Sequence, residues 1–363
     1  MRILFLTCST GGGHNSAAKA LAEEASARGH KYIIKDALDF LGHRRKSIIS
    51  KGHVFAYKHM PKLYGRLYDR VGEASTKPVF ISMQPSMFRI NRYLKKHSFD
   101  AVVCVHVFAA MMMTHARRHY KLTQKLYLVA TDYSYTPGSC LTVPDRFFVP
   151  IGFTNSFVAH GISQEKIVET GIPIKHDFFI NTTREEARKK LGFDKNEVLI
   201  VLSAGSMGCG NMRSLAKMLA SKLQNCTVAV LCGSNKRLFR QLSGYNRIHP
   251  IGFTNDVPLY FRAANVIVSK AGGLTITEAA ISGTPLIIMN AVQGLETHNL
   301  KYFEHNRLAR SAETPQQVYP MVLQALSDTE SSPFTVLKKK ATKELFPDEA
   351  STKILDVVEK EAF

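Results

Sequence analysis

The sequence lacks the features of a membrane-spanning or exported protein. No apolar run reaches the roughly 18–20 residues that a membrane-spanning helix needs. The longest candidate, residues 101–113, is shorter and contains His106. Only four apolar residues, 3–6, precede the first glycines, which is too few for a signal peptide. We therefore expect a protein that stays in the cytoplasm.

Cysteine motifs are also missing. The six cysteines form no Cys-x-x-Cys pair and no zinc-ligand spacing with histidine. Their scatter over 363 residues argues against a disulfide framework. We expect reduced, mostly buried thiols and no structural zinc.

Acidic residues are scarce. Lys and Arg number 48 against 29 Asp and Glu, a formal net charge of +19. Between Gly42 and Ser98 there are thirteen basic residues and only two acidic ones. More than half of the excess thus lies in one segment, which suggests an anionic partner, either nucleic acid or an anionic membrane surface.

Strand-like apolar runs alternate with helical patterns along most of the chain, which predicts an α/β protein with parallel sheets. The length favours two domains. The alternation breaks at residues 171–183 and then restarts, so we expect two doubly wound, Rossmann-like domains. The predicted boundaries are an N-terminal domain over 1–172, a linker over 173–184, a second domain over 185–340 and a C-terminal helix over 341–363.

Each domain opens with a strand, a glycine-rich loop and a helix. The first is CSTGGGHNSAAKAL, residues 8–21, and the second is SAGSMGCGN, residues 203–211. Glycines let a phosphate approach the backbone, and a helix N-terminus favours an anion. The second loop matches neither the P-loop nor the G-x-G-x-x-G fingerprint. A diphosphate site and a plain tight turn both remain open for it.

A third junction, SKAGGLTITEA, covers residues 269–279. It again passes from a strand through a glycine pair into a helix. We expect Glu278 in about the first turn of that helix, where a carboxylate either complements the helix dipole or accepts hydrogen bonds from ribose hydroxyls.

Several motifs together resemble the diacylglycerol glycosyltransferases of glycosyltransferase family 28. They occur in the family's order: GGGH at 11–14, TGIPI at 170–174, CGSNKRL at 232–238, GFTND at 252–256, SKAGGLTITEAAISGTPLI at 269–287 and GLETHN at 294–299. The resemblance implies a GT-B fold, with two Rossmann-like domains, an interdomain cleft and a C-terminal helix that crosses back. It also implies inverting transfer of glucose or galactose from a UDP-sugar to diacylglycerol.

The resemblance assigns the donor site to the second domain. The diphosphate would lie by Ser206, Met207 and Gly208, and Gly272, Gly273 and Thr275 would let the following helix N-terminus reach it. Phe253 and Thr254 would frame uracil, and Glu278 would bind ribose. Glu296 and Asn299 would contact the sugar, but Leu295 stands where the family has Gln, so the hexose stays open.

The acceptor side would lie in the first domain. His14 suits removal of a proton from the attacking hydroxyl, because histidine titrates near working pH. Gly12 and Gly13 would leave room for the acceptor, and Asp132 would orient His14 or share its proton. His106 follows another strand, where relatives carry His-Pro. Helix capping by His14, turn capping by Asp132 and core packing by His106 are the structural alternatives.

The basic segment contains KLYGRLYDRVG, residues 62–72, with an apolar stripe among cations. Such a helix suits the headgroup boundary of an anionic membrane. The predicted contact residues are Lys62, Tyr64, Arg66, Leu67, Tyr68 and Arg70. The alternatives are that the stripe packs on the domain core, or that the patch binds nucleic acid, for which no recognition motif is visible.

The sequence therefore predicts a peripheral enzyme on the cytoplasmic face of a membrane. Its partners would be UDP-glucose or UDP-galactose, diacylglycerol and anionic phospholipid, with no nucleic acid. No Asp-x-Asp pair precedes a nucleotide loop, so we expect no obligatory metal and no cofactor. Transfer to another lipid-linked acceptor and UDP-sugar epimerisation remain alternatives on the same fold.

Overall fold

A computed structural model describes residues 1–9, 12–49, 73–203, 205, 208, 211–289, 295–347 and 349–362. Backbone contacts divide the chain into two compact units. Unit 1 comprises Met1–Lys175, Gln293–Leu295 and Leu345–Phe363, and unit 2 comprises His176–Val292 and Glu296–Glu344. Within the described residues, no helix combines the length and hydrophobicity needed to cross a bilayer.

Unit 1 is built on a six-stranded parallel sheet in the order β2-β1-β3-β4-β5-β6. Its central strands are continuous apolar runs, because helices cover both faces of a parallel sheet. The strands are β1 (Arg2–Thr7), β2 (Lys31–Asp36), β3 (Ala101–Cys104), β4 (Lys125–Val129), β5 (Arg146–Val149) and β6 (Ile167–Glu169).

The sequence of unit 1 predicts a single helix over residues 78–97. The chain instead forms two helices separated by a short turn at Gln84–Ser86, where Pro85 cannot donate a backbone hydrogen bond. Residues 43–49 are also helical. The others are α1 (Gly12–Ala27), α2 (Glu73–Ser82), α3 (Met87–His97), α4 (Val107–Tyr120), α5 (Thr154–Val158) and the C-terminal helix, Ala350–Ala362.

The C-terminal helix belongs to unit 1 and is fixed to the end of α1. The Arg28 guanidinium, one residue beyond α1, donates to Asp356 at 2.7 Å and to Glu359 at 3.1 Å. His30 lies 2.5 Å from the other oxygen of Glu359. The hydrogen bond from His30 is the main influence lowering the pKa of Glu359. These contacts hold the far end of the helix whose first turn carries His14.

Unit 2 contains the second six-stranded parallel sheet, ordered β12-β11-β10-β7-β8-β9. Two βαβαβ halves run outwards from β7 and β10, as in a doubly wound nucleotide-binding sheet. The predicted pair of Rossmann-like domains is confirmed. The strands are β7 (Val198–Ser203), β8 (Cys226–Leu231), β9 (Ile248–Ile251), β10 (Val266–Ser269), β11 (Leu286–Met289) and β12 (Arg310–Ala312).

Helices flank the sheet of unit 2, and three of them, at residues 212–222, 236–242 and 315–327, form one buried apolar cluster with its strands. The helices are α6 (Arg184–Leu191), α7 (Met212–Lys222), α8 (Lys236–Leu242), α9 (Val257–Ala263), α10 (Gly273–Ile281), α11 (Leu295–His305), α12 (Pro315–Ser327) and α13 (Pro333–Leu345). With these numbers, the C-terminal helix of unit 1 is α14.

The five cysteines in the described part of the chain are free thiols, four of them buried, as predicted.

Arg188 is a buried and extensively hydrogen-bonded charge inside unit 2. It is buried on α6, and its guanidinium donates to the Ala263 carbonyl and to the Asn265 side chain, at 2.9 and 2.6 Å. It also donates to three backbone carbonyls, those of Asp194, Lys195 and Glu197. One side chain therefore joins α6, the loop before β7 and the end of α9.

Replacing Arg188 by Lys should destabilise unit 2 by about 3 kcal/mol, because a buried cation that loses part of its hydrogen bonds keeps its desolvation cost. Urea unfolding of the full chain measures the effect. Arg184→Lys is the matched control on an exposed position of the same helix and should change stability by less than about 0.5 kcal/mol. Equal stability of both variants would contradict this account of Arg188.

Candidate active site

The candidate residues follow particular strands of the two sheets. In unit 1, chain order reverses between β1 and β3, and in unit 2 it reverses between β7 and β10. Ligands of doubly wound sheets bind at such reversal points, beyond the carboxyl ends of the strands. His14 and His106 follow β1 and β3, while the loop at 203–211 and the Gly272–Gly273 pair follow β7 and β10. Each unit therefore carries one candidate half-site.

His14 lies in the first turn of α1, where its ring contacts the ends of two other strands. Its Nδ1 is 3.0 Å from the Val105 carbonyl oxygen, after β3, and 3.0 Å from Thr131 Oγ1, after β4. A carbonyl only accepts, so Nδ1 carries the hydrogen, and the neutral ring has its lone pair on Nε2. The ring thus bridges the ends of β3 and β4.

His106 packs beside His14 in the opposite tautomer. It caps α4, and its Nδ1 accepts a hydrogen bond from the Phe108 backbone N–H at 3.0 Å. Its Nε2 therefore carries the hydrogen in the neutral ring. The two ring centroids are 4.5 Å apart at an interplanar angle of 73°. Unit 1 thus places an imidazole that can accept a proton next to one that can donate a hydrogen bond.

The remaining unit 1 candidates adjoin this pair. Gly12 and Gly13 are the first two residues of α1, so its N-terminus before His14 carries no side chains. Asp132 is half-buried and directly follows Thr131, which contacts His14. The predicted membrane residues Lys62, Tyr64, Arg66, Leu67, Tyr68 and Arg70 lie outside the described part of the chain.

In the glycine-rich loop after β7 the structure describes Gly205 and Gly208, and protein atoms closely surround Gly208. Gly208 has φ +59, and a Cβ there would overlap the Cys232 carbonyl oxygen and lie 2.5 Å from Asn235 Cβ. The Asn235 side-chain amide donates to the Gly208 carbonyl at 2.8 Å. Packing by the protein itself therefore requires glycine at 208. The predicted phosphate neighbours Ser206 and Met207 lie outside the described residues.

Helix α10 exposes one narrow face. Gly272, just before the helix, and Thr275 and Glu278 within it are partly exposed, whereas the residues between them are buried. These three residues form a partly open stripe at the N-terminal end of α10. The sequence predicts Glu278 in about the first turn of this helix. That prediction is wrong, because Glu278 is the sixth residue of α10 and the first turn contains no acidic residue. Its carboxylate is a stripe residue rather than a simple dipole partner.

Lys270 is a site residue that the sequence analysis missed. Its ammonium forms a 2.6 Å ion pair with Glu296, and both side chains are largely buried. The Lys270 side chain also passes close to two glycines, since a Cβ at Gly205 would lie 2.9 Å from its Cε and one at Gly272 3.3 Å from its Nζ. A buried cation therefore lies against both glycine loops of unit 2. The sequence signal for Lys270 is a lysine shortly before a glycine pair, at the end of a strand.

The two predicted sugar contacts differ in their surroundings. Glu296 pairs with Lys270, whereas Asn299 is fully buried and donates from Nδ2 to the Ala271 carbonyl at 3.0 Å. Asn299 thus supports the turn before α10 through its amide nitrogen. Its predicted contact with the sugar stays a prediction. The side chain of Leu295 lies outside the described part.

The predicted uracil residues lie in the turn before α9. Phe253 is 71% exposed, unusual for a phenylalanine and available for stacking. Thr254 Oγ1 accepts from the Asp256 backbone N–H at 3.0 Å and so fixes the turn.

In the described residues, no group of three or more His, Cys, Asp or Glu side chains could hold a metal ion. The absence of a metal requirement stays a prediction.

Known proteins resemble both units. The family described as monogalactosyldiacylglycerol (MGDG) synthase matches residues 14–174, and the glycosyltransferase family 28 C-terminal domain matches residues 199–352. The chain is 26% identical over 343 residues to a processive diacylglycerol beta-glucosyltransferase of Bacillus pumilus, covering 91% of this chain and 88% of that protein.

Solved structures share the architecture of the whole chain. MurG of Acinetobacter baumannii has a TM-score of 0.62 at 17% identity, covering 99% of each chain. Anabaena HepE in complex with UDP-glucose has a TM-score of 0.60 at 14% identity, covering 99% of this chain and all of HepE. Such low identities show the fold alone.

The two Rossmann-like units and these neighbours define the GT-B fold. The two family matches, one in each unit, and the Bacillus relative carry the assignment further. By these matches the chain is a glycosyltransferase related to family 28, and its relatives include diacylglycerol glycosyltransferases.

Replacing Gly208 by Ala should destabilise unit 2 by about 3–5 kcal/mol, because it combines a left-handed backbone with overlap against Cys232. Gly192→Ala is the matched control: it has φ +76 but open space around a Cβ. The control should lose only about 1–2 kcal/mol in urea unfolding, the cost of the backbone conformation alone. Similar losses would show that packing at Gly208 is unimportant.

Proposed function

We propose that the protein transfers a hexose from a UDP-sugar to diacylglycerol, with inversion at the anomeric carbon, on a membrane surface. The observation that carries the proposal is the His14 ring, whose Nδ1 is occupied by the Val105 carbonyl at the strand reversal of unit 1. An acceptor hydroxyl needs such a base, because it must lose its proton as it attacks.

In the proposed step the acceptor oxygen forms a bond to the anomeric carbon while the bond from that carbon to the UDP oxygen breaks. The hydroxyl proton moves to His14 Nε2. The Val105 carbonyl then faces a charged imidazolium and stabilises it, as an accepting oxygen beside Nδ1–H does. The Nε2–H of His106 suits a hydrogen bond to the acceptor, and Asp132 contributes negative charge near the ring.

UDP departs with three negative charges on its diphosphate, one more than the bound UDP-sugar carried, and unit 2 offers groups that favour them. The N-terminus of α10 presents backbone N–H groups beyond Gly272 and Gly273, and its dipole favours an anion. The Lys270 ammonium, held by Glu296, lies against the same glycines. Preorganised groups of this kind lower the energy of a developing anion without reorganising during the reaction.

The nucleoside and sugar contacts complete the proposed donor site. The Glu278 carboxylate, on the open stripe with Thr275, accepts hydrogen bonds from the ribose hydroxyls, and exposed Phe253 stacks on uracil with Thr254 beside it. Glu296 accepts from a sugar hydroxyl. This arrangement needs no metal ion to stabilise the leaving group.

The relatives favour different hexoses. The family matched by unit 1 is described as forming monogalactosyldiacylglycerol, whereas the Bacillus relatives are named beta-glucosyltransferases. UDP-glucose and UDP-galactose are therefore both candidates for the donor. Incubating the protein with each radiolabelled donor and vesicles containing diacylglycerol should give labelled glycolipid from at least one. Rearranged UDP-sugar formed without lipid would instead indicate an epimerase.

Replacing His14 by Ala should lower kcat by about 10³-fold or more, because the attacking hydroxyl loses its base. UDP binding, measured by calorimetry, should change by less than about twofold, since the change touches only the acceptor side. His119→Ala, an exposed histidine of α4, is the control and should keep full activity. Substantial turnover by the His14 variant would remove this residue from the mechanism.

Replacing Glu278 by Ala should weaken UDP binding by roughly 10–100-fold, the loss of hydrogen bonds to a charged group. Calorimetry with UDP and 2′-deoxy-UDP tests the cause directly. The natural protein should prefer UDP, whereas the variant should bind the two nucleotides about equally. A variant that still discriminates between them would assign ribose recognition to another residue.

A further inference from the structure

Helix α13 of unit 2 carries three consecutive lysines, and the first of them is buried. Lys339 and Lys340 are exposed, whereas Lys338 is only 5% exposed. Lysine is almost never buried without a paired carboxylate, because its ammonium loses its hydration. Within the described residues, no carboxylate forms an ion pair with Lys338. The proposed reaction gives this buried group no role.

The Lys338 amine is held by two backbone carbonyls just beyond the C-terminal end of α10. Its Nζ donates to the Gly283 carbonyl at 3.2 Å and to the Thr284 carbonyl. The Thr284 side chain in turn donates to the Phe261 carbonyl of α9 at 2.7 Å. Lys338 therefore fixes the turn between the helix that carries the open stripe and the helix that follows the predicted uracil residues.

Two acceptors match a neutral lysine better than a charged one. A neutral amine has two hydrogens, and both find a carbonyl here, whereas an ammonium has three. In the part of the chain that the structure describes, Lys338 Nζ has no third acceptor. A buried donor without an acceptor costs free energy. The geometry around Lys338 therefore favours the uncharged amine.

The charged groups around Lys338 do not compensate for this. Arg310, in β12, repels the ammonium. Asp328, after α12, is already paired with Arg310 at 2.5 Å. Among the described residues, neither Arg262 of α9 nor Glu278 of α10 has an appreciable effect on Lys338. The ammonium therefore meets a cation and no available carboxylate.

Lys338 consequently changes its charge close to neutral pH. Burial, and to a smaller extent the repulsion from Arg310, lower the pKa of Lys338 to about 7. Between this value and the ordinary lysine pKa, the folded chain holds fewer protons than the unfolded chain, so folding stability rises with pH there. A ligand that attracts a positive charge to Lys338 will therefore draw a proton onto it.

Helix α10 connects this amine to the proposed position of the diphosphate. Its nine residues span about 14 Å, at 1.5 Å per residue. Lys338 lies beyond the C-terminal, negative end of the helix dipole, and the diphosphate would lie at the N-terminal, positive end. The protein between them screens charges less than water does. A diphosphate at one end therefore favours the charged form of Lys338 at the other.

We propose that Lys338 is a positioning residue of the candidate donor half-site and that a nucleoside diphosphate binds there together with a proton taken up by the Lys338 amine. The inference deepens the proposed function and rests on it, because that proposal places the diphosphate at α10. One proton moves from solvent to Nζ, and no covalent bond breaks. The coupling is reciprocal, so a lower pH also strengthens diphosphate binding.

The test measures UDP binding by calorimetry at pH 6 and at pH 8.5. Lys338→Met replaces the amine by an uncharged side chain of similar length. Lys338→Gln keeps an N–H donor and is the second neutral variant if circular dichroism shows that the first is unfolded. Lys340→Met is the control, at an exposed position of the same helix. The titration of UDP itself cancels when the affinities of two proteins are compared at one pH.

The ratio of the natural affinity to that of the neutral variant should be about fourfold larger at pH 6 than at pH 8.5. This is the effect expected for unit charges roughly 15 Å apart at an effective dielectric constant of about 20, with some loss from incomplete titration. The Lys340 control should follow the natural protein at both pH values. A loss of affinity that is equal at pH 6 and pH 8.5 would show a purely structural role and overturn the proposal.

A second arm uses the natural protein without any variant. At pH 8, calorimetry in two buffers of different ionisation enthalpy should show uptake of roughly 0.2 of a proton for each UDP bound. UDP is fully deprotonated at this pH and takes up none itself. Binding without proton uptake would overturn the inference and leave the proposed donor site intact. Failure of the folded natural protein to bind UDP would instead overturn the proposed function, and this inference with it.

Discussion

The hydrogen bond between His14 Nδ1 and the Val105 carbonyl is the contact on which the proposed chemistry of unit 1 depends. It joins the loop after β1 to the end of β3, where the sheet reverses its order, and it selects the tautomer with the lone pair on Nε2. The support for this contact extends along the helix. Arg28, at the opposite end of α1, is fixed to α14 through Asp356 and Glu359. The C-terminal helix therefore helps to hold the imidazole in place, although it lies far along the chain.

Unit 2 is also a doubly wound sheet, but its proposed ligand is a diphosphate. A diphosphate is bound best by groups that are already oriented, since water then need not reorganise as charge develops. Backbone N–H groups at the start of α10 and the ammonium of Lys270 are such groups. Their positions are fixed by buried neighbours: Glu296 holds Lys270, and Asn299 holds the Ala271 carbonyl. The buried polar residues of this region are thus the scaffold for the exposed stripe at Thr275 and Glu278.

The sequence was informative where chemistry and local pattern coincide. Continuous apolar runs such as ILFL and VLIVL predict the buried parallel strands, and GGGH marks His14 because glycines and a titratable ring follow a strand directly. The errors have physical causes. Pro85 splits the helix predicted over 78–97. Glu278 is predicted one turn too early because the sequence does not fix the first residue of α10. The ion pair of Lys270 with Glu296 joins segments that are distant in sequence, so only the tertiary structure shows it.

The tautomer of His14 is the most direct test of the account. In protein labelled with ¹⁵N-histidine, long-range proton–nitrogen correlation spectra distinguish the two ring nitrogens, and a His14→Gln variant assigns the signals. The account predicts that neutral His14 carries its hydrogen on Nδ1 and no hydrogen on Nε2. A neutral ring with its hydrogen on Nε2 would contradict it, because the nitrogen assigned to accept the proton of the acceptor would already hold one.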